Sequence, residues 1–306
     1  MDFERKTYSL DHLASADIPM RGVSETLYRA ALEKVGGTLC RAAAERLSKA
    51  GEGRHILIVT GFPIPPKNVC ETDGPPGAAV LAYTLRDVGL KPILVTDKPC
   101  EPVVRGVVED EFPVELISTE GDKAERQCEE LLNRYDPAAI VSIERPGWNV
   151  KGEYHTMRGY NISDLIGKTD HLFLKARERG ITTIAVGDGG NELGCGLIEE
   201  TVRKHVPNGD RCQCPCQAGI AASTSADILV IAATSNWGAY TISAALAELK
   251  DIEYRHDGKR ELRLLERVIK AGGIDGVTGE PTLTVDGLPT LVNQFVVELL
   301  WTIATA

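Results

Sequence analysis

The chain has 306 residues, with 34 lysines and arginines against 44 aspartates and glutamates and a formal net charge of -10. This acidic balance and the lack of a basic tract argue against nucleic acid as a partner, because no cationic surface would release phosphate counterions. The apolar runs are too short to cross a membrane and no signal-type segment is evident at the start, so we expect a cytoplasmic protein with no membrane partner.

Short apolar runs rich in β-branched residues alternate with longer amphipathic segments, which is the pattern of βα units around a largely parallel sheet. Strands are predicted at residues 56–60, 92–96, 114–117, 138–143, 182–186 and 228–232, and helices at 24–50, 78–88, 123–133, 164–179, 239–249, 261–271 and 291–306. The expected fold class is therefore α/β, with a largely parallel sheet flanked by helices in a Rossmann-like layered architecture. Because neither an internal repeat nor a low-complexity linker is evident, residues 1–306 are predicted to form a single domain, with an irregular insertion near 200–220 as an option.

Polar residues that directly follow the predicted strands are the candidates for a functional site, because the corresponding loops of open α/β sheets line the ligand crevice. After the first strand, Asp73 and Gly74 precede a helix start at which free backbone N–H groups would favour an anionic group. Asp73 itself either caps that helix or accepts a proton or a metal. The fourth strand runs into Glu144 and Arg145, with Arg158 further on. Either arginine could hold a substrate carboxylate, while a structural Glu–Arg pair is the alternative.

The most informative segment is 187–192, where a hydrophobic run stops at three glycines and two carboxylates in the order Gly-Asp-Gly-Gly-Asn-Glu. The glycines allow close approach of the backbone, and Asp188 and Glu192 bring negative charge that a simple turn does not need. A polar turn with solvated acids is the alternative. Late in the chain, Asn236 offers a donor and an acceptor where a helix begins, either as a binding group or as the N-cap of that helix.

Three cysteines lie close together at Cys212, Cys214 and Cys216, with His205 nearby, and this segment could bind zinc or exchange disulfides. Metal sites usually contain cysteines about two to four residues apart with a second pair elsewhere, so the spacing does not favour a structural metal. The other cysteines are scattered, unlike the dense framework of a small secreted protein, and most of the eight are expected to be reduced and inert.

Several segments, taken in order, resemble the D-glutamate cyclase family, formerly a domain family of unknown function. They are Arg21-Gly22, Thr60-Gly61-Phe62, Glu71-Thr72-Asp73-Gly74-Pro75, Glu144-Arg145-Pro146-Gly147, Met157-Arg158-Gly159, residues 187–192 and Ser235-Asn236-Trp237-Gly238. The resemblance covers nearly the whole chain and implies a hydro-lyase, a carbon–oxygen lyase of D-amino acid metabolism that reversibly dehydrates D-glutamate to 5-oxo-D-proline. It also implies a small-molecule substrate, D-glutamate or a similar acidic amino acid. A homo-oligomer is one option for the assembly.

The residues after the strands suit this reaction, in which the α-amine loses a proton and attacks the side-chain carboxyl carbon while an oxygen leaves as water. An arginine, Arg145 or Arg158, is expected to bind the α-carboxylate. Proton transfer is expected from Asp188 or Glu144. The candidate catalytic acids are Asp188, Glu144, Asp73 and Glu192, and the further substrate-binding residues are Asn191, Asn236, Gly74, Gly189 and Gly190.

The acids admit two modes of action. As hard oxygen ligands they could hold Mg²⁺ or Mn²⁺, so that the metal polarises the reacting carboxyl group. Alternatively, their mutual repulsion raises the pKa of one acid and keeps it protonated near neutral pH. The candidate metal ligands are Asp73, Glu144, Asp188 and Glu192.

Two other functions compete with this hypothesis. The first is a metal-dependent phosphohydrolase of the haloacid-dehalogenase type, because residues 187–192 resemble the acidic metal loop of that superfamily. The nucleophilic aspartate expected after an early strand is not matched by Thr60-Gly61-Phe62 or Thr96-Asp97-Lys98, which makes a covalent phosphoryl intermediate hard to build. The second is a non-catalytic small-molecule binding protein that uses the same crevice.

Overall fold

The computed structural model describes residues 2–306, which form an α/β fold around a six-stranded parallel sheet. The helices are α1 (Phe3–Ser15), α2 (Ser24–Val35), α3 (Leu39–Ser48), α4 (Pro75–Asp87), α5 (Glu101–Val107), α6 (Gly121–Tyr135), α7 (Asp170–Glu178), α8 (Glu199–His205), α9 (Ser235–Leu249), α10 (Gly258–Lys270) and α11 (Thr290–Thr305). The strands are β1 (His55–Thr60), β2 (Pro63–Ile64), β3 (Val69–Cys70), β4 (Lys91–Thr96), β5 (Val114–Leu116), β6 (Ala139–Ile143), β7 (Thr182–Gly187), β8 (Ile228–Ile231), β9 (Thr284–Val285) and β10 (Leu288–Pro289).

The main sheet has the strand order β5-β4-β1-β6-β7-β8, and every neighbouring pair is parallel. The chain builds outward from β1 to β5 and then returns to add β6, β7 and β8 on the other side. The direction reverses between β1 and β6, where Val59 lies opposite Ser142. In such sheets a crevice forms beyond the carboxyl ends of the strands that flank the reversal. The predicted α/β class with a largely parallel sheet is confirmed.

The strands of this sheet coincide closely with the predicted ones because the residues of five of them are mostly buried on both faces, and only the edge strand β5 is half-buried. In β6 every residue is buried, and in β1 and β4 only the first residue has appreciable exposure. A parallel sheet covered by helices on both faces produces such continuous apolar runs, which are visible in the sequence. The two short hairpins, β2–β3 and β9–β10, are additional to the prediction.

Most predicted helices differ from the observed ones by a few residues at their ends, and two differ more. The segment predicted as one helix over 24–50 forms α2 and α3, because Gly36 is left-handed, with φ of +78°, and closes α2 on the Leu32 carbonyl. The helix predicted over 164–179 begins only at Asp170, since the preceding residues form turns. Helices α1, α5 and α8 are additional to the prediction.

Helix α9 lies at the centre of the helical layer and packs against α1, α3, α4 and α11. It is buried from Ser235 to Ala247, which explains why its sequence is apolar or small all round rather than striped. Its first turn lies beside the first turn of α4, because Asn236 accepts a hydrogen bond from the Gly74 N–H. Two helix starts therefore meet at the carboxyl edge of the sheet.

Residues 206–227 connect α8 to β8 by an irregular path. This connection pairs with the loop that follows β6: the Gln213 N–H donates to the Gly159 carbonyl at 2.9 Å, and the Ser223 N–H donates to the Trp148 carbonyl at 2.8 Å. The two segments therefore form one wall at the carboxyl edge. Within residues 2–306, no helix has the length and apolar character needed to cross a membrane.

Candidate active site

A cavity of about 530 Å³ opens at the carboxyl edge of the main sheet, beyond β1, β6 and β7. This volume is in the range of small-molecule sites, about 300–1,000 Å³. Phe62, Met157 and Val277 contribute apolar wall. The charged lining residues are Arg21, Glu71, Glu144, Arg158, Asp188 and Asp286. The lining is therefore richer in carboxylates than in cations.

Three buried carboxylates, those of Asp73, Glu144 and Asp188, converge at this cavity, with one oxygen of each within 4.8 Å of the others. Each comes from a different loop: Asp73 follows the β2–β3 hairpin, Glu144 follows β6 and Asp188 follows β7. Glu144 and Asp188 also line the cavity. The structure thus brings together three of the four acids proposed as catalytic or metal-binding groups.

Arg21, which precedes α2, supplies positive charge to these carboxylates. Its Nη2 donates to Asp188 Oδ2 at 2.7 Å, lies 3.7 Å from Asp286 Oδ2 and also donates to the Ala233 carbonyl. Burial alone would lower the pKa of Arg21, but the charges of Asp188 and Asp286 raise it well above its usual value. The Arg21 Nε is buried and has no hydrogen-bond partner among residues 2–306.

The carboxyl groups at the cavity have raised pKa values because they are buried close to one another. Burial raises the pKa of Glu144 well above its usual range, and repulsion from Asp188 adds to the effect. Burial likewise raises the pKa of Asp73, with Asp286 as the next cause. For Asp286, burial raises the pKa to about 7 although Arg21 opposes the change. Such an environment favours protonated acids or a bound cation near neutral pH.

Glu144 is held in an uncommon backbone conformation at the end of β6. Its φ is +43°, in the left-handed region that residues other than glycine rarely adopt. Its N–H donates to the Val186 carbonyl at 3.2 Å, and its Oε2 accepts a hydrogen bond of 2.6 Å from Ser235 Oγ. Backbone strain of this kind, on the order of 1–3 kcal/mol, persists where surrounding contacts enforce it and is concentrated at functional sites.

Asp73 and Asn236 cap each other's helices. The Asp73 carboxylate accepts hydrogen bonds from the Ser235 and Asn236 N–H groups, both at 2.8 Å, at the start of α9. Asn236 Oδ1 in turn accepts from the Gly74 and Gly77 N–H groups at 3.0 and 2.8 Å, at the start of α4. The predicted anion site at the start of α4 does not match this geometry, because Asn236 already accepts from its backbone donors. Both residues act as caps, but each caps the helix of the other, whereas the capping alternatives assigned each residue to its own helix.

The loop after β7 is organised by Glu192. Its Oε1 accepts from the Gly189 N–H and its Oε2 from the Gly190 N–H, both at 2.7 Å. A Cβ on Gly189 would lie 2.5 Å from Met157 Sδ, so only glycine lets this loop approach the cavity wall so closely. Glu192 therefore supports the loop that carries Asp188, whereas the sequence suggested a catalytic acid or a metal ligand at this position.

Arg145 is fully buried and forms an ion pair of 2.6 Å with Asp97. Its guanidinium also donates to the carbonyls of Gly61 and Gly167, both at 2.8 Å. The predicted role of Arg145 as a ligand of the substrate carboxylate does not match this placement, because protein acceptors take up its donors. The structural alternative fits, but with Asp97 rather than Glu144 as the partner.

Arg158 lies on the wall of the cavity, and Asn191 lies behind that wall. Arg158 is exposed, lines the cavity and donates to the Val277 carbonyl at 3.2 Å. Asn191 is buried and donates from Nδ2 to the His155 carbonyl at 2.8 Å. Of the two arginines proposed from the sequence, Arg158 is therefore the one that can contact a ligand.

Several polar residues of the site are additional to the candidates chosen from the sequence: Arg21, Glu71, Ser235 and Asp286. Arg21 precedes a helix, and Asp286 lies in the turn between β9 and β10, so neither follows a strand of the main sheet. A search confined to residues after strands therefore misses both. The available signal was the presence of Arg21, Glu71 and Ser235 in segments that resemble the cyclase family.

The reversed strand order and the carboxylate-rich cavity at the carboxyl edge together define a small-molecule site on a doubly wound α/β fold. Comparison of the sequence with models of protein families identifies the family to which the chain belongs within this class. Residues 10–301 match the model described as D-glutamate cyclase-like, C-terminal, and the chain belongs to that family.

Among curated proteins, human D-glutamate cyclase, described as mitochondrial, is 33% identical to this chain over 262 residues. The aligned region is 79% of this chain and 39% of the human protein, so the chain spans about two fifths of that relative. Among solved structures, MurG from Acinetobacter baumannii matches with a TM-score of 0.29 and 14% identity over 43% of this chain and 33% of MurG, a likeness too low to carry an argument. The expected cytoplasmic location stays a prediction.

Proposed function

We propose that this chain interconverts D-glutamate and 5-oxo-D-proline with loss or gain of water. The observation that carries the proposal is the pair Glu144 and Asp188, two buried carboxyl groups that line one cavity together with the cations Arg21 and Arg158. Membership of the cyclase-like family supports this reaction class.

Cyclisation joins the α-nitrogen of glutamate to its side-chain carboxyl carbon and breaks one carbon–oxygen bond of that carboxyl group. The ammonium nitrogen gives up two protons and the departing oxygen takes up two, so water leaves without net release of a proton. Asp188 is the proposed first proton acceptor, since the Arg21 guanidinium at 2.7 Å balances its charge. Glu144 is the proposed donor to the departing oxygen, because burial raises its pKa and favours its acid form.

Binding of the α-carboxylate is assigned to the two arginines that line the cavity. Arg158 lies exposed on the wall, where its guanidinium can meet an incoming anion. Arg21 also lines the cavity, and its side chain is 23% exposed. An anchored α-carboxylate would hold the amine and the side-chain carboxyl group in attack geometry, an orientation effect that reaches about 7–11 kcal/mol in the best intramolecular cases.

A divalent cation, Mg²⁺ or Mn²⁺, is the proposed alternative source of positive charge at Asp73, Glu144 and Asp188. Hydrogen bonds from residues 2–306 fall on Glu144 Oε2 and Asp188 Oδ2, which leaves the other oxygen of each side chain for a ligand. Oxygen ligands of this kind suit hard cations. When bound, the cation would polarise the reacting carboxyl group. Glu192 is outside this set because its carboxylate is not one of the three whose oxygens lie within 4.8 Å of one another.

The reaction can be tested by incubating the purified chain with D-glutamate, L-glutamate and each 5-oxoproline enantiomer, followed by chiral chromatography. We expect interconversion of the two D-compounds and a loss of about 10²–10⁴-fold in kcat for Glu144→Gln and Asp188→Asn, because each removes a proton-transfer group. Glu33→Gln, at an exposed position on α2, is the matched control and should retain wild-type activity. No conversion of any of the four compounds, with or without Mg²⁺ and Mn²⁺, would contradict the proposal.

The same assay with EDTA distinguishes the two modes of charge compensation. Activity that EDTA abolishes and Mg²⁺ or Mn²⁺ restores indicates a metal held by the three acids. Activity that is insensitive to EDTA, and that falls as the pH rises through the pKa of Glu144, indicates a protonated acid.

The competing functions find less support in the site. Asp97 follows β4, where a phosphohydrolase nucleophile would stand, but it is buried in an ion pair with Arg145. Release of phosphate from common phosphomonoesters would nevertheless revive that alternative. A binding protein without turnover would show a higher Tm with one of the four compounds and no conversion of any.

A further inference from the structure

Four side chains that can ligate a metal meet in a second cluster, formed by Cys212, Cys214, Cys216 and His155. One donor atom of each lies within 4.8 Å of the others. His155 Nε2 is 3.2 Å from Cys214 Sγ and 3.6 Å from Cys216 Sγ. Cys212 Sγ is 3.5 Å from Cys214 Sγ and 3.3 Å from Cys216 Sγ. Three sulfurs and one imidazole nitrogen therefore lie close enough together to share one metal ion.

We propose that this cluster is a structural zinc site with a Cys₃His ligand set. Zn²⁺ takes tetrahedral sulfur and nitrogen ligands at about 2.3 Å for Zn–S and about 2.0–2.1 Å for Zn–N, which places neighbouring ligand atoms roughly 3.4–3.8 Å apart. The measured separations of 3.2–3.6 Å are close to these edges. They are far longer than a disulfide bond of about 2.05 Å, and the three cysteines are free thiols.

The surroundings of the cluster fit a closed structural site rather than a catalytic one. Cys212, Cys214 and His155 are buried and Cys216 is half-buried, so four protein ligands would complete the coordination without an open position for water. Asn149 adds a donor, since its Nδ2 lies 3.6 Å from Cys216 Sγ. Hydrogen bonds of this kind to ligating groups are typical of metal sites in proteins.

The histidine that completes the set comes from a different loop than the cysteines. His155 belongs to the loop that follows β6, whereas the cysteines belong to the irregular connection 206–227. His205, the histidine near the cysteines in sequence, is exposed at the end of α8. The unusual spacing of the cysteines, with one residue between each, is compatible with zinc because the chain supplies the fourth ligand from elsewhere.

The zinc site would fix one wall of the cavity. Thr156, Met157 and Arg158 follow His155 directly and line the cavity, and the His155 carbonyl accepts from Asn191 behind the loop that carries Asp188. A metal bonded to His155 and to the cysteines would tie this wall to the connection 206–227. The inferred role is positioning of the wall, and it does not depend on which reaction the cavity catalyses.

Metal analysis of the whole chain, purified without chelators, tests the proposal. We expect about one zinc per chain. Titration with a mercurial reagent should release that zinc in step with three thiols. After growth with Co²⁺ in place of zinc, thiolate-to-cobalt charge-transfer bands and tetrahedral d–d bands should appear, which cobalt bound to oxygen ligands alone does not give.

Variants locate the metal within the chain. The double variant Cys212→Ser/Cys216→Ser should lose the zinc and the charge-transfer bands, and His155→Ala should weaken both. Cys128→Ser, which changes a buried cysteine on α6, is the matched control and should keep one zinc. If the variants fail to fold, the mercurial titration and the cobalt spectrum of the wild-type chain still decide.

Hydrogen exchange gives a readout that is independent of activity. Removal of zinc should raise the exchange rates of amides in 155–161 and 206–227 by about tenfold or more, while those in β1 and β6 should stay protected. Zinc below about one tenth of an equivalent, with all three thiols freely alkylated and no sulfur charge transfer from Co²⁺, would overturn the proposal. A disulfide between two of the three cysteines in the freshly purified chain would also overturn it.

Discussion

Replacing Arg21 with methionine is expected to destabilise the protein, because methionine keeps much of the length of the side chain and removes its charge. Arg21 Nη2 lies 2.7 Å from Asp188 Oδ2 and 3.7 Å from Asp286 Oδ2, and both carboxylates are nearly inaccessible to solvent. Breaking a buried ion pair on one side costs about 3–5 kcal/mol. Since the Arg21 side chain is itself 23% exposed, we expect the lower end, about 3 kcal/mol at about pH 8.

The loss of unfolding free energy caused by Arg21→Met should be smaller at acidic pH. With Arg21 present, burial already raises the pKa of Asp286 to about 7, and the loss of a neighbouring cation raises it further. An acid with a raised folded-state pKa contributes stability that is fully present below its unfolded value, near 3.8, and lost as the pH rises through the folded-state value. At about pH 5 the variant can therefore protonate Asp286, and we expect less than about half of the cost at pH 8.

Urea unfolding of the wild-type and variant chains at the two pH values measures this difference. Arg29→Met, on α2, is the matched control, because Arg29 forms an exposed i,i+4 pair with Glu25 at 2.6 Å. Such pairs contribute about 0–1 kcal/mol, and this contribution should be similar at both pH values. The electrostatic reasoning would be refuted if Arg21→Met were as stable as Arg29→Met at the higher pH, or if Arg21→Met lowered the free energy of unfolding equally at both pH values.

Three other features give outcomes that can be measured on single variants or on the wild-type chain. Asp97→Ala should lower the free energy of unfolding in urea by about 3–5 kcal/mol, because the fully buried Arg145 loses its ion-pair partner; an unchanged midpoint would contradict this. Gly189→Ala should raise KM in steady-state kinetics and lower the free energy of unfolding by only about 1 kcal/mol. The alanine Cβ would lie 2.5 Å from Sδ of the flexible Met157 side chain and would displace this residue of the cavity wall. An unchanged KM would contradict this prediction. In the wild-type chain, burial on folding raises the pKa of Asp286 from 3.8 to about 7. The free energy of unfolding should therefore fall by up to about 4 kcal/mol between about pH 4 and pH 8, and a free energy that does not change over this range would contradict the prediction.

The sheet could be predicted from the sequence because most of its strands are buried on both faces. Runs such as 56–60 and 139–143 contain almost only apolar residues, as strands of a covered parallel sheet do. The split between α2 and α3 was less visible. Gly36 ends α2 by its left-handed backbone. Because a helix can contain an isolated glycine, two consecutive helices with a glycine between them can show the same amphipathic pattern as one long helix.

The candidate site was partly predictable for a topological reason. Glu144 and Asp188 directly follow adjacent parallel strands, β6 and β7, so their meeting at one edge follows from the sheet. Arg21 and Asp286 reach the same cavity from a segment before α2 and from a hairpin turn, and no local pattern encodes that approach. The burial of Arg145 is hidden from the sequence for a similar reason, because its partner Asp97 follows a different strand.

The two proposed metal sites of this chain differ in the chemistry of their ligands. Asp73, Glu144 and Asp188 offer only oxygen, whereas the second cluster offers three sulfurs and the His155 nitrogen. Thiolate and imidazole favour Zn²⁺, and carboxylates favour Mg²⁺ or Mn²⁺, so each site selects against the other's metal. A thiol-directed mercurial should therefore release zinc without displacing a cation from the three acids. We expect activity to fall on this treatment and to stay low when Mg²⁺ or Mn²⁺ is added, because the wall that follows His155 is loosened. The zinc-free variant Cys212→Ser/Cys216→Ser should lose activity in the same way, without modification of the other cysteines.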